Sequence, residues 1–350
     1  MLKVFFAFTR PQLFYVNEYA KKSNGSEMHV YYFGAERDTD RLVKSLFKEI
    51  CCLKGKTGRL SRLNIDSYKF FKKQFETIRH DVTIELCFPG LAYPIFNWIY
   101  SKYSLNKNVL VTIYAEGLSS YLNIKTPFFW NLKFSILRLI PPLFGGGIGC
   151  KIVGHSYGLN MPNVSALISQ YPELLAEHGK PIVDISSEIG EPVPLSHRKL
   201  DEVWVLGQGH FVDVGDCQSY FDRLYRVLFD TYRCKILYKT HHFEPKRFSV
   251  FASRAGFEVC DSKSTLEELL VESAPKVVLG YRSTALLNAR RMCASDVSVV
   301  AFAPFLVNPP DESGDVADIY KVFKYFNVST PQINSELWVF EEFLRNKFHA

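Results

Sequence analysis

Short apolar runs that alternate with longer amphipathic stretches constrain this chain more than any other feature. In the first half the runs are "KVFFAFT" (3–9), "HVYYFG" (29–34), "VTIELCF" (82–88) and "VLVTIYA" (109–115), with helical-period stretches such as "QLFYVNEYAKK" and "TDRLVKSLFKEI" among them. In the second half they are "EVWVLGQ" (202–208), "KILYKTH" (235–241), "FEVCD" (257–261), "VVLGY" (277–281) and "VSVVAFA" (297–303). The stretches "SYFDRLYRVLFDTY", "TLEELLVES" and "STALLNARRM" separate these. Apolar runs bounded by amphipathic helices fit parallel strands joined by helical crossovers. The expectation is an α/β chain of two Rossmann-like domains, which suits a length of 350 residues. The segment 123–195 differs from both halves, with "PFFWNLKFSILRLIPPLFGGGIG" and a Pro-rich "GEPVPL". The boundaries expected are therefore 1–195 and 196–330, with 331–350 a helix ("SELWVFEEFLRNKF") that returns to the first domain.

Composition narrows the classes. Apolar residues make up 47% and charged residues 22%, enough to bury a sizeable core. A net charge of +6 is too weak to argue for nucleic acid, but it suits an anionic ligand or an anionic membrane surface. None of the eight cysteines forms a C-x-x-C pair, and several sit in apolar runs, where a free thiol acts as a small hydrophobe. A reducing compartment and no structural zinc are expected. "MLKVFFAFTRPQ" reads as a first core strand rather than a signal peptide. No window reaches 18 apolar residues free of charge, so no spanning helix is expected.

In open α/β sheets ligands bind beyond the carboxyl ends of the strands, so the residues after each strand carry the functional reading. Glu116 and Gly117 end one strand. The acid is either a cap for a helix that starts near Leu118 or a general base, for which a partly dry site suits it. Glycine lets the backbone bend so that the acid leaves the core. "LYKTHHFEP" closes another strand with Lys239, His241 and His242. Adjacent histidines on extended chain point apart and no further ligand stands at zinc spacing, so a structural histidine and a phosphate-facing one compete. Ser283 and Thr284 stand between a strand and a helix, where one hydroxyl can cap and the other can donate to an anion. Thr9, Arg10, Pro11 and Gln12 end the first strand. "DTD" (38–40) and "DVGD" (213–216) read as helix-start and loop acids rather than metal sites.

Read together, Ala115-Glu116-Gly117, His241-His242 and Ser283-Thr284 resemble the acid-acid-glycine, His-Pro and Ser-Ser/Thr motifs of bacterial sialyltransferases of the two-Rossmann (GT-B) type, the lipooligosaccharide sialyltransferases and capsular polysialyltransferases. "VWVLGQG" and "TRPQL" add to the resemblance, which spans roughly residues 3–305. Two departures stand out: Ala115 replaces the first acid, and His242 replaces the proline that would stiffen the loop carrying His241. The resemblance implies two facing domains with a cleft. It also implies metal-independent, inverting transfer from cytidine monophosphate-sialic acid to a glycan acceptor of capsule or lipooligosaccharide. Glu116 would be the base, and His241 would support the leaving phosphate. Ser283, Thr284, Glu267, Gln208, Gly209 and Lys239 would line the nucleotide side, and Arg10 and Gln12 the acceptor side. No cofactor and no nucleic acid partner are implied.

Two other readings stay open at this stage. One is a transferase of another cytidine monophosphate-activated acidic sugar, of the Kdo, pseudaminic or legionaminic kind. The other is an inactive glycan-binding protein on the same fold. The expected location is cytoplasmic, with peripheral association at the inner membrane as an extension of it. "FFWNLKFSILRLIPPLF" carries that extension, because it mixes aromatics with Lys133 and Arg138 like an interfacial helix. A helix buried at a domain interface is the slightly favoured alternative.

Overall fold

The computed structural model describes residues 1–53, 65–76, 82–122, 124–139, 149–186, 198–207, 217–241, 244–260, 264–281, 283–293, 296–302 and 315–330. The chain divides into two compact units, Met1–Glu188 and Ile189–Ala350. The expected boundary at 195/196 and the expected helix at 331–350 lie outside the described residues.

The first unit runs β1 (Leu2–Ala7), α1 (Arg10–Lys21), β2 (Glu27–Tyr32), β3 (Glu49–Cys52), α2 (Ile65–Glu76), β4 (Ile84–Phe88), α3 (Pro94–Tyr103), β5 (Val109–Tyr114), α4 (Phe128–Leu139), β6 (Val164–Ser169) and β7 (Ile182–Asp184). Its strands form one parallel sheet in the order β3-β2-β1-β4-β5-β6-β7. The second unit runs β8 (Arg198–Leu206), α5 (Cys217–Tyr232), β9 (Lys235–Lys239), α6 (Lys246–Ala255), β10 (Glu258–Cys260), α7 (Leu266–Glu272), β11 (Ala274–Gly280), α8 (Thr284–Met292), β12 (Ser298–Ala301) and α9 (Asp315–Tyr325). Its parallel sheet has the order β10-β9-β8-β11-β12. In both sheets the chain starts in the middle, winds outward, then crosses back. The reversal falls between β1 and β4 and between β8 and β11, where ligands bind in open sheets.

Every residue of β1 is buried, which explains its unbroken apolar run. Phe5 meets Tyr19 of α1 and Phe47 on one face, while Phe6 packs on Phe71 of α2, Phe88 of β4 and Phe96 of α3 on the other. Alternate residues of one strand thus anchor both helical layers.

The stretch "TDRLVKSLFKEI" departs from its helical expectation. It forms two 3-10 turns, Glu36–Arg41 and Lys44–Leu46, and then enters β3. Side chains capture its backbone. Asn17 of α1 donates to the Arg41 carbonyl (2.8 Å) and accepts from the Val43 N–H (3.0 Å), taking groups that a continuing helix needs.

One polar cluster is buried within the sheet. Lys3 of β1 pairs with Glu85 of β4 at 2.7 Å and donates to the Tyr19 hydroxyl of α1 at 3.0 Å. Glu85 also accepts from Tyr19 (2.8 Å) and from Thr112 of β5 (2.6 Å). The cluster ties three strands and a helix in one register. Removing one partner of a buried pair leaves an uncompensated charge. Lys3→Met is therefore expected to lower stability by roughly 3–5 kcal/mol in urea unfolding. Lys3→Met/Glu85→Leu should recover much of that loss, and a single variant as stable as the parent would contradict this role.

Candidate active site

Glu116 follows β5 at the carboxyl edge of the first sheet. Its strand is buried except at Leu110, and the residue itself keeps partial access to water. Gly117 then turns the chain with φ +79° and ψ 154°, a region that glycine alone adopts freely. A side chain built on Gly117 would meet nothing within 4 Å, so the backbone beside Glu116 borders open space.

Two residues after β1 hold the Glu116 carboxylate. Gln12 Nε2 donates to Oε2 at 2.5 Å, and Thr9 Oγ1 donates to Oε1 at 3.3 Å. Gln12 is itself fixed, since its Oε1 accepts the backbone N–H groups of Phe8 (2.6 Å) and Thr9 (3.3 Å) at the start of α1. Pro11 suits that first turn, because its missing N–H has no helical partner there. Arg10, which stands between these donors in sequence, turns its guanidinium to Asp38 at 2.6 Å. Asp38 is buried and also accepts from Tyr32 at 2.9 Å. Burial raises the Glu116 pKa, and the bonds from Gln12 and Thr9 oppose that rise in part. The half-buried Tyr93 and Tyr157 feel the Glu116 charge, after burial the second cause that raises their own pKa values.

One sequence expectation changes here, and two other residues gain a structural role. Gln12 does not line an acceptor surface, because it is buried and spends its amide on Glu116 and the backbone. Asp38 of "DTD" serves as the partner of Arg10 and Tyr32. Ala115 is fully buried, with its N–H on the Ile168 carbonyl and its own carbonyl on the Tyr121 hydroxyl. An acid at that position would enter the core, so alanine suits this fold.

In the second unit His241 follows β9, Gly207 follows β8, and Ser283 and Thr284 follow β11, on three adjacent strands. Sheet spacing puts the β9 and β11 ends about 10 Å apart. Lys239 ends β9, is buried, and accepts the Gly207 N–H on its carbonyl at 2.8 Å. Ser283 caps α8, accepting from the Ala285 N–H at 3.2 Å, and Thr284 opens the helix. Asn288, one turn further along α8, donates to Glu267 of α7 at 2.5 Å, which sets Glu267 close to the start of that helix. His242, Gln208, Gly209 and "DVGD" lie outside the described residues.

Sequence reasoning missed Glu244. Its Oε2 accepts the His241 N–H at 2.9 Å, its own N–H donates to the His241 carbonyl at 2.9 Å, and its Oε1 accepts from the Tyr238 hydroxyl. A Cβ on Gly207 would lie 2.1 Å from the Glu244 carboxylate, so glycine makes room for this strap. The strap fixes the backbone at His241, the task assigned to the absent proline. The signal was an acid three residues after the histidine, legible only once the loop is seen to close on itself.

Burial pushes the Glu244 carboxyl up from 4.5 to about 7, with the bonds from Tyr238 and His241 opposing. Between those values the folded state keeps a proton that the unfolded chain loses. Stability therefore falls as pH rises through this window and levels off above it. Glu244→Gln is neutral throughout. The difference in unfolding free energy should move in the variant's favour by roughly 1–3 kcal/mol from the acid to the alkaline side of that window. Urea titrations at several pH values measure it, and a constant difference would contradict the assignment.

Comparison with known proteins places the chain in a family. The family model described as "Alpha-2,8-polysialyltransferase (POLYST)" matches residues 3–299. None of the curated proteins compared with the chain matches it. Among solved structures, the alpha/beta-galactoside alpha-2,3-sialyltransferase of Photobacterium phosphoreum is similar, at 10% identity and a TM-score of 0.55 over 94% of this chain and 98% of that one. The S. aureus MnaA–UDP co-structure aligns at 12% identity and a TM-score of 0.50, over 97% of this chain and 90% of that one. At such identities the likeness is one of fold, the GT-B class of two Rossmann-like units. The chain belongs to the alpha-2,8-polysialyltransferase family, glycosyltransferases that transfer sialyl residues to glycans.

Proposed function

We propose that the chain transfers sialic acid from cytidine monophosphate-sialic acid to a bacterial capsule or lipooligosaccharide glycan, with inversion at the anomeric carbon. The observation that carries this reading is Glu116: a carboxylate held by neutral donors, raised in proton affinity by burial, and bordered by open space at Gly117. That is the condition of a general base rather than of a structural ion pair.

The acceptor hydroxyl oxygen attacks the anomeric carbon as Glu116 takes the hydroxyl proton. The bond from that carbon to the phosphate oxygen breaks, and its electron pair leaves with cytidine monophosphate. Charge on the sugar develops as in other glycosyl transfers. His241 hydrogen-bonds the departing phosphate, with its backbone braced by Glu244. Thr284 and the positive end of α8 receive the phosphate oxygens while Ser283 holds the cap. Glu267, Lys239, Gln208 and Gly209 complete the nucleotide side. This charge compensation by protein groups is the basis for proposing transfer without a metal. The half-buried Tyr93 and Tyr157 offer ring faces to the acceptor, with Arg10 at the margin. The place of work proposed is the cytoplasmic side of the inner membrane, with peripheral attachment.

Cytidine monophosphate release from the sugar nucleotide, with a sialylated oligosaccharide as acceptor, tests the reading. Glu116→Gln should lower kcat by about 10²–10⁴ with an unchanged circular dichroism spectrum. Turnover equal to the parent would remove Glu116 as the base. Because burial raises its pKa, activity should fall on the acid side at a pH above that of an ordinary glutamate. A limb at or below the ordinary value would contradict the proposed environment.

A further inference from the structure

The helix α4 shows a run of apolar side chains to the outside. Its polar Asn131 faces the protein: its amide donates to the Ile152 carbonyl (3.3 Å) and accepts the Ile152 N–H (3.0 Å). Ile152 is buried, and Lys125 bridges His155 just before the helix, so α4 is fastened to the first unit along this side. Five apolar side chains of the helix stand in the open. Phe128 is 74% exposed and Phe129 77%, and Trp130, Leu132 and Ile136 are exposed as well. Val153, next to the Asn131 clamp, is also exposed. Within the first unit, then, α4 is clamped at the surface and not buried in that unit's own core. A helix on a water-facing surface buries its apolar stripe, yet five apolar side chains of α4 stand in the open.

Charge identifies what covers such a face. From Gly117 to Pro172 the sequence holds no Asp or Glu, while it carries Lys125, Lys133, Arg138 and Lys151. Lys125 and Lys151, which flank the clamped segment, are exposed. Aromatic and branched apolar side chains with basic residues and no acids match an interfacial helix on anionic lipid. A second copy of this chain would oppose like charge to like. No helix among the described residues is long and apolar enough to cross a membrane. We propose that α4 and the Lys151–Val153 segment dock the chain on an anionic bilayer, with Phe128, Phe129 and Trp130 inserted at the headgroup level. The proposal refines the peripheral attachment assigned above and names the surface that makes it.

Co-sedimentation of the full chain with lipid vesicles tests it. Vesicles of phosphatidylcholine with phosphatidylglycerol should bind the chain at least tenfold more tightly than phosphatidylcholine alone, and high salt should weaken the binding. Phe128→Ser/Phe129→Ser/Trp130→Ser should lose more than tenfold, with an unchanged thermal midpoint because these side chains are exposed. Lys125→Glu/Lys151→Glu should lose the preference for phosphatidylglycerol. Equal binding to both vesicle types, no binding, or full binding by the triple serine variant would overturn the proposal. So would a concentration-dependent dimer of the parent that the triple variant abolishes without vesicles. Turnover of a soluble acceptor should be the same in parent and triple variant, so a failure of vesicle binding is distinct from a failure of the transferase reading.

Discussion

A carboxylate taken partly out of water keeps an ordinary pKa when a cation sits beside it and gains proton affinity when its partners are neutral. The first unit pairs the Arg10 guanidinium with Asp38 and supplies neutral partners to Glu116. Gln12 and Thr9 reach it from the end of β1, with β4 lying between that strand and β5. Arg10 is committed to Asp38. The sheet therefore has to hold three strands in register for one side-chain environment to exist. The buried Lys3–Glu85–Tyr19–Thr112 cluster performs that task with β1, β4, β5 and α1.

The second unit solves a different problem on a similar sheet. Its edge holds a histidine, a helix start and hydroxyls, groups suited to an anion. A histidine on a loop aims well only if the backbone under it is fixed. Glu244 fixes it through both His241 backbone groups and the Tyr238 hydroxyl, over a glycine that leaves room for the carboxylate. The loss of a proline at 242 is thereby explained through an interaction of another kind. Burial of Ala115 likewise explains the other departure from the family pattern.

Much of the fold was legible because parallel strands buried on both faces leave an unmistakable apolar run, as in β1. Where the sequence misled, side chains from other elements decided the outcome. Asn17 on α1 broke what reads locally as a helix after Asp38, and β7 is too short to show a period. Strand ends exposed the candidate residues Glu116, His241, Ser283 and Thr284, since polar groups there interrupt apolar runs. The roles of Gln12 and Glu244 were hidden, because a hydrogen bond across more than a hundred residues or a loop that folds onto itself has no local signature. The orientation of α4 was hidden for the opposite reason: its composition fits a buried helix and a surface-seeking one equally well.

The central claim is that burial and neutral donors, rather than a cation, set the state of Glu116. Carbon-13 NMR titration of its side-chain carboxyl, in the parent and in Gln12→Leu, tests it most directly. The account predicts a midpoint above that of a free glutamate in the parent, and a further rise when the Gln12 donor is removed. A midpoint at or below the free value, unchanged by the substitution, would contradict it.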